Sequence, residues 1–295
     1  MKKVFLFCLL FLLSLSVFSQ LSLIDDLGRL ITFESTPKRI ISAAPAVSDY
    51  LVFLNVENSV VGVTDWDSHI FTAEKIGNMV PLNIEKIISL NPDLVFLTGG
   101  FQEPEVEKLE KFGIKTFVIN PVSYNDIYRS ITVIGAILGN QKEAQKLSTE
   151  LRQKVTKIGS DASRRTNTPN VFYAMISTQN LAQIWTAGTG SFINDTISIA
   201  GGANIAAPYT GNNGWLAVGP EFIVSKNPEV IIIPSYYGDE SGKEALLNSP
   251  LFKDINAVKN KNIILIDENS SSQASPSLIS VLEQLFEEFG KIKWI

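Results

Sequence analysis

The sequence predicts an α/β protein of two similar α/β lobes joined by a single long helix. Strand-like and helix-like segments alternate along both halves of the chain, the pattern of sheets covered by helices. A segment of the first half also recurs without a gap in the second. Asn83-Ile84-Glu85-Lys86-Ile87-Ile88-Ser89-Leu90-Asn91-Pro92-Asp93-Leu94-Val95-Phe96-Leu97 lies over Gly219-Pro220-Glu221-Phe222-Ile223-Val224-Ser225-Lys226-Asn227-Pro228-Glu229-Val230-Ile231-Ile232-Ile233. Between the copies, from Gln141 to about Ser160, apolar residues at Ala144, Leu147, Leu151, Val155 and Ile158 form a narrow stripe on an otherwise polar helix. At ~1.5 Å per residue that helix spans about 30 Å, enough to reach from one lobe to the next. The expected divisions are a signal peptide over 1–19, a first lobe over 20–140, the joining helix over 141–163 and a second lobe over 164–295.

At the N-terminus, Lys2 and Lys3 precede an apolar run from Val4 to Phe18, and Val17-Phe18-Ser19 suits a signal peptidase, so cleavage before Gln20 is expected. The competing reading, a membrane anchor, meets a run that is short, contains serines and lacks basic residues just after it. Cys8, the one cysteine, sits inside the run without the small residues that precede a lipidated cysteine. The mature chain is therefore expected to carry no thiol, disulfide or lipid, and to be free in a periplasm.

Leu21–Ile24 and Arg29–Phe33 flank an Asp/Gly cluster and read as a small hairpin on an edge. Ile40 to Ala44 is a short strand, Pro45 opens a helix to about Leu54, and Val60–Val63 is the next strand. In each copy of the repeat, Ile84, Ile87 and Ile88, or Phe222, Ile223 and Val224, suit one face of a short helix. The Asn-Pro pair ends it, because a residue before proline leaves the α region. Leu94–Leu97 and Val230–Ile233 then read as buried parallel strands. A helix from Pro104 presents Val106, Leu109 and Phe112 and stops at Gly113; Ile114–Ile119 is a strand; Ser123 with Asp126 resembles a capping box.

After the polar stretch Asp161–Asn170, Val171–Ser177 and Gln183–Thr186 are strands, and Gly188-Thr189-Gly190-Ser191 turns into a helix from Phe192 to Ala200. Leu246–Ile255 is helical, Asn262–Ile266 a strand, and Ser277–Phe289 a terminal amphipathic helix.

A chain of 295 residues, 45% hydrophobic and 19% charged, has room for two ordinary domains. A formal charge of -5 without a basic cluster argues against nucleic acid or an anionic membrane as partner. Catalysis lacks an inventory: with His69 the one histidine, Ser-His-Asp and His-rich zinc arrangements fail. Gly188-Thr189-Gly190 lacks the third glycine of a dinucleotide fingerprint and the Lys of a P-loop, and reads as a capped turn. Asp65, Asp67 and His69 read as a solvated loop in preference to a metal cluster.

Aromatic placement is more informative. Trp66, Trp185 and Trp215 fall in loops or strand ends. Trp66, the Tyr236-Tyr237 pair and Pro45 follow strands, where open α/β sheets bind ligands. Taken singly each could pack its own lobe; concentrated at strand ends they point to a cleft. Glu85 and Glu221, each in the first turn of its helix, suit the helix dipole. The dipole does not require both lobes to be acidic there, whereas a partner with two matching basic patches would.

Arg39-Ile40-Ile41-Ser42 with Ala44-Pro45, Val60-Val61-Gly62-Val63, Asn83-Ile84-Glu85 through Pro92-Asp93-Leu94-Val95, Gly201-Gly202-Ala203-Asn204 and Pro220-Glu221 resemble the periplasmic binding proteins of cobalamin and ferric-siderophore importers. The resemblance covers nearly all of the mature chain. It implies two lobes on a helical backbone, a ligand cleft between the lobes, little hinge motion, and delivery to an ABC importer whose two permease subunits pair arginines with Glu85 and Glu221. It also places Pro45, Trp66, Trp185 and Trp215 in the cleft, with the Ser272-Gln273-Ala274-Ser275-Pro276 loop bringing Gln273. Binders of anionic ferric chelates bring arginines to the cleft. The arginines here, Arg29, Arg39, Arg129, Arg152, Arg164 and Arg165, lie elsewhere, which favours a corrinoid. Haem, with His69 or a tyrosine as iron ligand, and an uncharged siderophore complex stay open.

A monomeric carrier without a cofactor of its own is therefore expected. Its rivals are an enzyme on a two-lobed scaffold and a sensor or chaperone that hands the same ligand to a non-transport partner.

Overall fold

The structure is a computed structural model that describes residues 20–177 and 180–292; the expected signal peptide, 1–19, and the fourth tryptophan, Trp294, lie outside them. The first half comprises β1 (Leu21–Ile24), β2 (Leu30–Phe33), β3 (Ile40–Ser42), α1 (Pro45–Phe53), β4 (Val60–Val63), β5 (Glu74–Lys75), α2 (Ile84–Ser89), β6 (Leu94–Thr98), α3 (Glu103–Glu110), β7 (Thr116–Ile119) and α4 (Tyr124–Ile137). The long helix α5 (Gln141–Ala162) follows. The second half comprises β8 (Asn170–Tyr173), β9 (Met175–Ser177), β10 (Asn180–Ala187), α6 (Phe192–Ile199), β11 (Ala203–Asn204), β12 (Trp215–Val218), α7 (Pro220–Lys226), β13 (Val230–Ser235), α8 (Ser241–Asn248), α9 (Asn256–Lys259), β14 (Ile263–Asp267), α10 (Glu268–Ser271) and α11 (Leu278–Lys291).

Each half builds a parallel sheet by the same rule. In the first the order is β5-β4-β3-β6-β7, in the second β11-β8-β13-β14. In both, the first strand is central, the next lies on one side of it, and the chain then crosses to the other. The repeat fixes that crossing. Asp93 accepts the N–H of Arg39 (2.9 Å) and Lys38 (2.8 Å) at the start of β3, and its own N–H reaches the Arg39 carbonyl at 2.9 Å. In the second copy Glu229 accepts the Asn170 N–H at 2.8 Å, and its N–H reaches the Asn170 carbonyl at 2.9 Å. The residue after each Asn-Pro thus latches its strand to the central one. Asn91 and Asn227 leave the right-handed helical region for the left-handed one, at φ 45 and 44, which asparagine tolerates.

The β1–β2 hairpin docks on the edge strand β7. Buried Asp25 turns the hairpin by accepting the N–H of Leu27 and Arg29, pairs with the Arg29 guanidinium, and reaches the Val118 N–H. Ser123 caps α4 by accepting the Asp126 N–H, and its hydroxyl donates to the Asp126 carboxylate at 2.7 Å.

α5 packs against α4 in the first half and against α6 and α11 in the second. Its buried stripe is Ala144, Ser148, Leu151, Val155, Ile158 and Ala162, with Leu147 half-buried at its margin. Gly135 lets α4 approach closely, since a Cβ there would sit 2.2 Å from the Ala144 methyl. One apolar core, from Phe33 and Phe117 to Leu282 and Phe289, runs through both halves along this helix.

Several expectations need correction. Val171–Ser177 is not one strand: it breaks at Ala174, with β8 in the parallel sheet and β9 in a separate antiparallel sheet, β12-β10-β9. Trp185 therefore lies inside a strand, and Trp215 opens β12, a strand the sequence reading passed over. The expected Leu246–Ile255 helix begins earlier, as α8, and gives way to turns before α9. Ile88, Val224 and Phe112 point outward at 43%, 47% and 63% exposure, so the repeated helices are anchored by buried Ile87 and Ile223 with half-buried Ile84 and Phe222 beside them. Among the described residues no helix is long and apolar enough to cross a membrane.

Candidate functional site

The carboxyl ends of the two parallel sheets face one cleft of about 1600 Å³. This exceeds the ~300–1000 Å³ of an ordinary small-molecule pocket. Its first wall consists of the turns after β3, β4, β6 and β7, which carry Pro45, Trp66, Phe101 and Val122. Buried Gln102 ties the ends of β3 and β6 to the segment after β5. Its amide N–H2 donates to the carbonyls of Ala43 (2.7 Å) and Met79 (3.0 Å), and its oxygen accepts the Thr98 N–H at 2.9 Å. These bonds span the switch between β3 and β6, where open sheets place ligands.

The second wall is built differently. Tyr236 and Tyr237 follow β13, Gln273 follows α10, and the antiparallel sheet delivers Trp185 and Trp215. Ala187 pairs with Trp215, and Trp185 pairs with Ala217 and Met175. Trp215 is held edge-on by Tyr173 and Phe192, with ring centroids 5.8 and 6.0 Å away. Beneath it, the Gly188-Thr189-Gly190 turn meets the 209–214 loop backbone to backbone. The Gly188 N–H donates to Gly214 O at 2.7 Å and the Thr189 N–H to Tyr209 O at 2.9 Å. A Cβ on Gly188 would fall 2.1 Å from the Tyr209 oxygen. With those donors occupied the turn cradles no phosphate; Ser191 caps α6 by accepting the Asn194 N–H at 3.1 Å.

All seven cleft residues expected from the sequence, Pro45, Trp66, Trp185, Trp215, Tyr236, Tyr237 and Gln273, line this one cleft. Trp66, Tyr237 and Tyr236 are 65%, 74% and 51% exposed, more than packing of a lobe requires. The sequence reading missed Phe71, Phe101, Phe192 and the carboxylates Glu103 and Glu268. Phe101 and Glu103 follow β6 and Glu268 follows β14, so the rule that found Trp66 could have found them. Phe71 lies in the same loop after β4 as Trp66, so that rule covers it as well.

The Asp65/Asp67/His69 loop is less solvated than expected. Asp67 is buried, and its Oδ1 accepts the N–H of His69 (2.9 Å) and Ile70 (2.8 Å), forming the turn itself. Asp65 accepts the Gly77 N–H at 3.3 Å. The carboxylates thus serve the backbone, and among the described residues no His/Cys/Asp/Glu group could hold a metal ion.

Behind the cleft the lobes are bonded across a seam. The Asp49 carboxylate accepts the N–H (2.9 Å) and hydroxyl (2.6 Å) of Ser277, just before α11, and the Tyr50 hydroxyl donates to Ala274 O at 2.8 Å. The Tyr124 and Thr196 hydroxyls bond at 2.9 Å. Burial, and secondarily the Asp49 charge, pushes the Tyr50 phenol well above its usual value; burial does the same to Tyr124. Both stay neutral donors at any physiological pH.

Glu85 and Glu221 lie away from the cleft, exposed in the first turns of α2 and α7. Among the described residues neither carboxylate makes a hydrogen bond or ion pair to a side chain, and that of Glu221 folds back over Gly219. Glu85 neighbours Lys86, which pairs with Glu74 at 3.1 Å.

Paired α/β lobes, a helix across their back and a large aromatic cleft between them define a substrate-binding protein of an ABC importer. The chain belongs to the periplasmic binding protein family, whose profile matches residues 40–270. It is 29% identical over 274 residues, 90% of this chain and 84% of the other, to an uncharacterized ABC transporter substrate-binding lipoprotein, YvrC, of Bacillus subtilis. It is 26% identical over 275 residues, 90% of this chain and 73% of the other, to a cobalamin-binding protein of Halobacterium salinarum. A solved structure described as a possible iron-binding periplasmic solute-binding protein of Staphylococcus epidermidis matches with a TM-score of 0.74 at 26% identity, over 87% of this chain and 100% of that one.

Proposed function

We propose that the protein captures a corrinoid in this cleft and hands it to the paired permease subunits of an importer through Glu85 and Glu221. The observation that supports the ligand is the cleft itself: about 1600 Å³, walled by Trp66, Trp185 and Trp215, with no lysine or arginine among its lining residues. A large ligand with apolar faces and no net negative charge suits such walls. The similarity to a cobalamin-binding protein points the same way. A second reading, haem or a ferric chelate, is favoured by the Tyr236 and Tyr237 phenols at the mouth and by the iron-binding description of the similar structure.

The protein is read as a monomeric carrier and not an enzyme, with no cofactor of its own and a cargo that leaves as it arrives. Cleavage before Gln20 would leave it free in the periplasm without lipid. The mass of the mature chain and its recovery in the soluble fraction test that, against a lipidated Cys8.

Calorimetric titration of the chain from Gln20 onward with cyanocobalamin, haemin, and one neutral and one anionic ferric siderophore tests the ligand. Saturable binding of cyanocobalamin alone is expected. Binding of a ferric chelate alone would replace the corrinoid reading and leave the docking reading standing.

A further inference from the structure

We propose that the cleft selects metal chelates of net positive charge, through carboxylates that line it and that no cleft cation offsets. This deepens the corrinoid reading and rests on it. Asp65 and Glu103 line the first wall and Glu268 the second. Each of the first two uses one oxygen on a turn, Asp65 on the Gly77 N–H (3.3 Å) and Glu103 on the Gly100 N–H (3.0 Å). The Glu268 side chain makes no hydrogen bond or ion pair among the described residues, and its charge adds to the burial that holds the Tyr173 phenol up.

Buried Asp67 also lines the cleft, and its Oδ2 has no hydrogen-bond partner. Lys75 turns its ammonium to the carbonyls of Thr64 (3.1 Å) and Asp67 (2.9 Å) and is not among the described residues that line the cleft. The low-dielectric walls of the cleft focus the field of the carboxylates between them. A seated ligand displaces more of the screening solvent, so a cation gains and an anion is repelled.

Aquocobalamin and cyanocobalamin share a shape and differ in one axial ligand and in charge, the first being cationic. In ~20 mM salt the aquo form is expected to bind about fivefold to tenfold tighter, and in ~500 mM salt the two become equal. The triple variant Asp65→Asn, Glu103→Gln, Glu268→Gln keeps every backbone acceptor and cuts the ratio at low salt to about twofold or less, the remainder belonging to Asp67. An unchanged aquocobalamin absorption spectrum on binding shows that no protein group has replaced the water on cobalt.

Equal affinities in low salt, or a preference that the triple variant leaves undiminished, overturn the inference while the corrinoid reading stands. If neither corrinoid binds, that reading falls. The inference is then read from a cationic tetrakis(N-methylpyridyl) iron porphyrin against anionic haemin: binding of the cation alone upholds it, and any other result overturns it.

Discussion

The two lobes agree at their outer faces and disagree at the cleft. Asp93 and Glu229 latch the same pair of strands by the same bonds, Asn91 and Asn227 turn at the same φ, and Glu85 and Glu221 open helices of the same register. Toward the cleft, the first lobe offers loops after parallel strands. The second adds an antiparallel sheet, β12-β10-β9, that carries two of the three cleft tryptophans. The repeat persists on the outer faces proposed to meet paired subunits, and breaks at the walls of the cleft proposed to hold the ligand.

Reversing both outer charges is the strongest way to break that symmetry. Glu85→Arg with Glu221→Arg should cut importer-dependent uptake of labelled cyanocobalamin more than ~100-fold, since the two proposed ion pairs would become repulsive. Affinity measured by calorimetry should not move, because both residues lie away from the cleft. Uptake at the parental rate would remove the docking role. Single reversals should each give similar losses if the faces are equivalent.

The seam is where the lobes cease to be independent. Asp49→Ala leaves the half-buried Ser277 N–H and hydroxyl without an acceptor, and should destabilise the protein by about 2–3 kcal/mol in urea unfolding. Asp49→Asn keeps an acceptor and should lose less than half of that. Equal losses for the two variants would show that the capping bonds carry little of the seam.

Within the cleft the walls should respond differently. Trp215, wedged between Tyr173 and Phe192, should lose about 2 kcal/mol of stability as well as about tenfold in corrinoid affinity on Trp215→Ala. Trp66, 65% exposed, should lose affinity alone. A stability loss at Trp66 matching that at Trp215 would erase the distinction. At the outer face, Ile88 and Val224 stand exposed one turn after each glutamate. They suit apolar contact beside the ion pairs, and Ile88→Ser with Val224→Ser should lower uptake about threefold to tenfold while sparing affinity.

Much of this was legible in the chain because it is local or repeated. Asn-Pro followed by an acid marks helix end, latch and strand in both lobes, and the stripe from Ala144 to Ile158 marks the joining helix. Trp66 and the Tyr236-Tyr237 pair were found by one rule, that loops after parallel strands reach the ligand. What was not legible depends on distant pairing. The break at Ala174 sends two adjacent apolar stretches into different sheets because β9 and β12 pair with opposite edges of β10, which no periodicity announces. Asp67 reads as a loop carboxylate until its turn is folded around it, and the Asp49–Ser277 bond joins residues from opposite ends of the chain.

His69 should give the smallest effect of all, and its size decides whether the loop beside Trp66 is part of the seam. The imidazole Nδ1 stands 3.8 Å from Asp49 Oδ1, too far for a hydrogen bond, and both Asp49 oxygens are already engaged by Ser277. Nε2 is buried without a partner, so removing the ring discards no bond and relieves one unsatisfied atom. His69→Ala should therefore leave corrinoid affinity within about twofold and stability within ~1 kcal/mol. A tenfold loss of affinity would instead make His69 a ligand contact, on cobalt or iron. A stability loss near that of Asp49→Ala would show that the first lobe holds α11 with two side chains and not one.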